Sequence, residues 1–147
     1  MSNKLKLPYE TTIEVRDACI CLHLQRAARV VARKFDEALR PVGLTNGQFS
    51  LLISLNRPEP PTMGSVAELL ALDRTTLTAN LKPLGRRGLL TISPDANDKR
   101  SRRLALTDAG HALLIEAYPL WCETEREIER LAGPAIVQLR TGLKNLS

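Results

Sequence analysis

Apolar residues recur every three or four positions along most of this chain, and the polar residues that interrupt them sit where helices start. Thr11 and Glu14 are spaced as a capping box, and no proline or glycine follows until Pro41. Ile20, Leu24, Ala27, Val31 and Ala38 then fall on one side, with Arg26, Arg29, Arg33 and Arg40 on another. This spacing predicts one long helix from about Thr12 to Arg40. Thr45 and Gln48 form a second capping box, with Leu44 and Phe49 placed as a hydrophobic staple. That second helix ends at the proline-rich stretch Arg57-Pro58-Glu59-Pro60-Pro61. Thr62 caps a short third helix carrying Val66, Ala67, Leu69 and Leu70. Asp73 caps a fourth, running from Arg74 towards Arg87 and ending at Gly88.

The period then changes from helical to alternating. Leu90 and Ile92 alternate with polar neighbours, as do Leu104 and Leu106, around a turn-rich centre. Two short strands with one buried face are expected, joined as a hairpin. Thr107 caps a fifth helix that extends to about Leu131, with a bend rather than a break at Pro119. A last helix follows Gly133-Pro134, with Ile136, Leu139, Leu143 and Leu146 apolar. The fold class is therefore mainly α with a small β-hairpin wing. It is a winged helix-turn-helix carried between long N- and C-terminal helices. The organisation reads as residues 1–43 (long N-terminal helix), 44–106 (winged helix-turn-helix lobe) and 107–147 (C-terminal helices) of one domain.

Charge sharpens this picture. The 147 residues carry 21 Lys and Arg against 16 Asp and Glu, a formal net charge of +5. Between Arg74 and Arg103 eight basic residues face only Asp95 and Asp98, so this window holds +6 while the remainder sums to −1. A solvated basic face is one explanation. Clustered Lys and Arg on a helix-turn-helix and its hairpin is also the footprint of a polyanion partner. Arg74, Thr75, Thr76, Thr78, Ala79 and Lys82 lie on the outer side of the second helix of that motif, while Leu77, Leu81 and Leu84 turn inward. Small residues and threonines let a backbone approach a groove and offer hydroxyls and methyls to base edges. Thr75, Thr76 and Thr78 are the candidates for base edges. Arg74, Lys82, Lys99, Arg102 and Arg103 are the candidates for phosphates. Pro83 lies late in the helix and disfavours helical geometry at Lys82, so any bend falls beyond the base-reading part.

The ordered string of these pieces resembles the MarR family of winged-helix transcriptional regulators. It runs from Leu44-Thr45 and Gln48, through Val66-Ala67-Glu68-Leu69-Leu70 and Asp73-Arg74-Thr75-Thr76-Leu77-Thr78. It continues through Leu81-Lys82-Pro83-Leu84 and Arg87-Gly88-Leu89-Leu90, to Asp98-Lys99-Arg100 and Leu104-Ala105-Leu106-Thr107-Asp108-Ala109-Gly110. The resemblance implies a homodimer built on the first, fifth and sixth helices, with double-stranded DNA as partner. Two recognition helices would enter successive major grooves roughly 34–36 Å apart on a pseudo-palindromic operator. It also implies that Arg100 is the wing arginine, with Asp98 and Asp73 as ion-pair partners supporting the wing. Release by a small aromatic or acidic effector is the expected control, and repression the expected outcome.

Cys19, Cys21 and His23 invite a metal reading, but on one helix Cys21 lies about 200° round from Cys19, so no metal site or cofactor is expected. Cys21 shares a side with Leu24, Ala28, Val31 and Phe35, which predicts partial burial. The organic-hydroperoxide-sensing branch of the family holds a cysteine near this place, in some members paired with one late in the partner chain. Cys21 with Cys122 is thus an alternative, redox-sensing reading. The tyrosines of those sensors correspond here to Phe35 and Asn46, which lack the phenol. Arg26 and Arg29 are candidate ligands for an acidic effector, or a solvated stripe. A non-specific architectural DNA binder is the other alternative. An enzyme is not expected, since His23 and His111 lie on separate helices and no HExxH, GxSxG or P-loop pattern occurs. Three cysteines, no apolar run of about 18 residues and no secretory pattern suggest a cytoplasmic, non-membrane protein.

Overall fold

The computed structural model describes residues 5–147. Seven α-helices and one hairpin follow in order: α1 (Tyr9–Ala18), α2 (Ile20–Leu39), α3 (Asn46–Ser54), α4 (Met63–Leu69), α5 (Arg74–Arg86), β1 (Leu90–Pro94), β2 (Arg102–Leu106), α6 (Asp108–Ala132) and α7 (Ile136–Asn145). Short 3₁₀ turns at Arg40–Val42 and Gly133–Ala135 join α2 to α3 and α6 to α7. The winged helix-turn-helix is formed as expected.

The long first helix is in fact two. It begins at Tyr9 behind Pro8, with no side-chain cap, so Thr11 sits inside the first turn rather than ahead of it. It breaks at Cys19, whose backbone is extended at φ −71°, ψ 107°. No proline or glycine marks the break; local side chains accommodate it. The Leu22 amide donates to Cys19 Sγ at 3.5 Å, and His23 Nε2 donates to the Asp17 carbonyl at 2.9 Å. Orphaned helix-end groups thereby find partners.

The starts of α3, α4, α5 and α6 follow the capping chemistry, whereas α7 begins without a side-chain cap. At α3, Thr45 Oγ1 accepts from the Gln48 amide and Gln48 Oε1 accepts from the Thr45 amide. Thr62, Asp73 and Thr107 each accept from the amide three residues on. Both Pro83 and Pro119 lie within unbroken helices. The core sits where these elements converge. Leu39, Leu52, Val66, Leu77, Leu84 and Leu104 are fully buried together, with Phe35 and Trp121 packed at the margin.

The hairpin pairs Leu90 with Leu106 and Ile92 with Leu104. Its buried face is one-sided in an unexpected way: Leu104 is fully buried, yet Ile92 is 48% exposed. The reason is a third segment. The Leu104 amide donates to the Pro61 carbonyl at 3.0 Å, and Thr62 bridges Arg103. This places β2 between β1 and the proline-rich connection, and leaves β1 as the outer edge.

Two further contacts fix the lobe on the helices. Asp36 Oδ1 accepts from both the backbone and the side-chain nitrogen of Asn46, at 2.7 and 2.8 Å. These donors hold the Asp36 carboxyl below its ordinary range. Gly110, in the first turn of α6, lies so near β1 that an added Cβ would stand 2.1 Å from the Leu89 carbonyl oxygen. That carbonyl is itself held by the Thr107 amide. Gly110→Ala should therefore destabilise by about 3 kcal/mol, the upper end of ordinary overpacking. A denaturant melt checks this; an unchanged midpoint would contradict the close approach.

Candidate nucleic-acid interface

The recognition helix α5 acquires its orientation from its buried side. Leu77, Leu81 and Leu84 recur at i, i+4 and i+7 and are at most 1% exposed. With that stripe turned inward, Arg74, Thr75, Thr78, Ala79 and Lys82 line one shallow exposed groove. The start of the helix is fixed by Asp73, which accepts from the Thr76 amide at 2.7 Å and from Thr76 Oγ1 at 2.9 Å. Thr78 Oγ1 donates to the Arg74 carbonyl at 2.8 Å. Of the three threonines expected to meet base edges, only Thr75 has a hydroxyl with no protein partner among the described residues. Thr76 faces the cap rather than the groove.

The wing is braced differently from the expectation. Asp73 caps α5, and Asp98 Oδ1 accepts from the Arg100 backbone amide at 3.0 Å. Among the described residues neither carboxylate forms an ion pair with Arg100. A tight turn between Asp98 and Arg100 uses the carboxylate locally and leaves the guanidinium exposed. The ion pair that does brace the wing is Arg103 Nη2 to Asp95 at 3.2 Å, and Arg103 Nη1 donates to the Pro60 carbonyl at 2.9 Å. Arg103, expected among the phosphate contacts, is thus engaged in tying β2 to the wing tip and to the proline-rich connection. Sequence spacing could not single out this partner from the other acidic residues nearby. Arg74, Lys82, Lys99, Arg100 and Arg102 are exposed and without ion pairs among the described residues, so their field is uncompensated.

The candidate effector residues lie elsewhere. Cys21 is exposed, contrary to the expected partial burial, although Val31 and Phe35 further along the same side of α2 are half-buried. Gln25 Nε2 donates to its sulfur at 3.3 Å. Cys122 on α6 is half-buried. A cavity of about 300 Å³ opens between α2, α3 and α6, lined by Val31, Phe35, Phe49, Trp121, Asn46 and Ser50 among others. Arg26 and Arg29 do not line it; both are exposed on α2. Among the described residues no three metal-binding side chains gather, and no helix is long and apolar enough to cross a membrane.

Two wing and cap carboxylates are shifted. Asp73 is held below the usual carboxylate range by the Thr76 amide and then its hydroxyl. Asp95 is held below it by the Asn97 amide and then the Arg103 guanidinium. A depressed folded-state pKa gives stability that is present above the unfolded value of about 4 and is lost as pH falls through the lower folded value. Acidification below about pH 4 should therefore loosen the lobe, with no matching loss on the alkaline side from these groups. Asp95→Asn should flatten the acid limb of melting temperature against pH and weaken DNA binding at neutral pH. Thermal melts from pH 3 to 7 check the first effect; an acid limb identical to wild type would contradict it.

The MarR family matches over residues 44–101, the span from the second capping box through the wing. The Mycobacterium tuberculosis transcriptional regulator MosR, solved in complex with DNA, is 38% identical, with a TM-score of 0.79 over 87% of this chain and 92% of that one. PecS, a helix-turn-helix transcriptional regulator of Dickeya dadantii, is 28% identical over 119 residues, covering 79% of this chain and 72% of PecS. CouR from Rhodococcus jostii RHA1, solved with p-coumaroyl-CoA, shares the fold at 23% identity, with a TM-score of 0.75 over 88% of this chain and 92% of that one. An exposed, polar recognition helix beside a basic wing, on a scaffold matched along nearly its whole length, places the chain in the MarR family of DNA-binding transcriptional regulators.

Proposed function

We propose that the protein is a repressor that binds a pseudo-palindromic operator as a homodimer and is released by a small molecule. In this reading residues 44–106 form the DNA-binding lobe, and residues 1–43 and 107–147 supply the dimer helices. The observation that carries it is a pair of unlike surfaces. One is the groove of Arg74, Thr75, Thr78, Ala79 and Lys82 beside the wing. The other is the apolar surface left bare on the terminal helices, where Val15, Ile20, Leu131, Val137 and Leu146 are all more than half exposed. Large apolar side chains left exposed in this number on the terminal helices call for a partner. A second copy that buries it also presents the basic window twice, as a two-fold operator requires.

Thr75 reads a base edge, and Arg100 and Lys99 reach phosphates or the minor groove from the wing. Thr75→Ala should cost about 1–3 kcal/mol of discrimination at one position of the site, while Arg100→Ala should weaken binding to all sequences and reduce the salt slope by about one. Titrations against a selected and a random duplex at several salt concentrations check both. A steep salt slope without sequence preference in the wild type would favour an architectural role instead.

The cavity between α2, α3 and α6 suits a ligand with an aromatic body and one or two polar groups, met by Asn46 and Ser50. It lies where the dimer helices join the lobe, so a ligand preferring one lobe angle would change DNA affinity by linkage. The small-molecule complex of CouR supports this type of control. Aryl carboxylates should raise the melting temperature and lower operator affinity; no effect across such a panel would remove the ligand from the account. The exposure of Cys21 favours a second trigger by thiol oxidation. Under that reading an organic hydroperoxide lowers DNA binding in wild type and not in Cys21→Ser, and equal loss in both would exclude Cys21.

A further inference from the structure

Arg87 lies inside the basic window, next to Arg86 and directly after α5, yet its guanidinium is turned to the scaffold. Its Nη1 donates to the Gly43 carbonyl at 2.9 Å, across 44 positions of sequence. The other terminal nitrogen packs so closely that a Cβ on Gly43 would stand 3.3 Å from it. Gly43 closes the 3₁₀ turn that ends α2, with φ +69°, and its amide donates to the Arg40 carbonyl. Leu44, the next residue, donates to the carbonyl of Leu39, a fully buried member of the core. At the other end, the Arg87 backbone caps α5 through Gly85 and Pro83. One side chain thus spans from the end of the recognition helix to the end of the long helix that carries it.

We infer that Arg87 is a positioning residue for DNA binding and not a DNA contact. Its guanidinium sets the angle of α5 on α2, and in a two-fold dimer that angle sets the separation of the two recognition helices. The inference rests on the dimeric operator-binding reading above. Three features of the site favour it. The hydrogen bond is charge-assisted and directional, so it restricts angle as well as distance. Its acceptor is a backbone carbonyl in a turn whose glycine is left-handed at φ +69°, and a Cβ there would crowd the guanidinium at 3.3 Å. A second polar tie between α2 and the lobe, Asp36 to Asn46, holds the start of α3, and neither of its hydrogen bonds reaches α5.

The test uses a duplex that the wild-type protein selects from a random pool, and the same duplex with one base pair inserted at its dyad. Arg87→Ala, Arg87→Lys and the charge control Arg86→Ala are titrated on both at several salt concentrations. Arg87→Ala should weaken binding to the selected duplex about three- to tenfold and lower the preference for native spacing by a similar factor. The salt slope should stay at the wild-type value, and Arg87→Lys should recover part of the preference. Arg86→Ala should leave the spacing preference intact. An equal loss on both duplexes with a salt slope smaller by about one would make Arg87 a phosphate contact and overturn the inference. A lowered melting temperature with an unchanged spacing preference would overturn it too, leaving a merely structural residue. A wild-type protein that selects no sequence would overturn the operator reading itself, and does so before any variant is compared.

Discussion

Burial of Leu77, Leu81 and Leu84 against Leu39, Leu52, Val66 and Leu104 is the interaction on which the rest depends. Each of these leucines contributes roughly 1.5–3 kcal/mol by leaving water. Their spacing matches one stripe of a helix, so the stripe can be satisfied in only one rotational setting of α5. That setting turns Arg74, Thr75, Thr78, Ala79 and Lys82 to solvent together. The interface is thus a consequence of core packing: its residues need no mutual attraction, and their like charges are tolerated because the opposite face is so firmly held. The Asp73 cap and the Gly43–Arg87 contact then fix the two ends of the same helix.

The wing follows the same logic with weaker forces. β1 is an edge strand whose Ile92 stays half exposed, and β2 is anchored through Leu104 and the Pro61 carbonyl. Arg103 joins the two sides of β2 to Asp95 and Pro60, which leaves Lys99, Arg100 and Arg102 at the tip with no internal duty. A basic window of +6 therefore divides by function: part of it braces the lobe, and part of it faces outward. The terminal helices carry the opposite imbalance, with Arg140 bound to Glu125 and Glu129 and a broad apolar surface bare beside them.

Much of this was legible in the sequence because it is encoded locally. Thr45 with Gln48, Thr62, Asp73 and Thr107 announce helix starts by capping chemistry that acts within four residues. The inward leucines of α5 are encoded by a period of 3.6, which also places the exposed groove. What was not legible depends on contacts between distant segments. The break at Cys19 carries no proline or glycine and is supported by a sulfur cap and by His23. The wing's ion pair joins Arg103 to Asp95 rather than Arg100 to Asp98, because β2 is registered by Pro61, over 40 residues upstream. The turning of Arg87 towards Gly43 likewise depends on where the end of α2 lies. The exposure of Cys21 contradicts an expectation drawn from its apolar neighbours on the helix: Ala28, Val31 and Phe35 meet α3 and α6, whereas Cys21 lies at the N-terminal start of α2 and is exposed.

Core packing on α5 presents one basic groove per chain, and in the proposed dimer two such grooves face DNA across a dyad. Hydroxyl-radical footprinting on a duplex selected by the protein tests it most directly. Two protected patches are expected on one face of the duplex, symmetric about a centre and about one helical turn apart, each flanked by wing protection in the minor groove. A single patch, or uniform protection without a dyad, would contradict it.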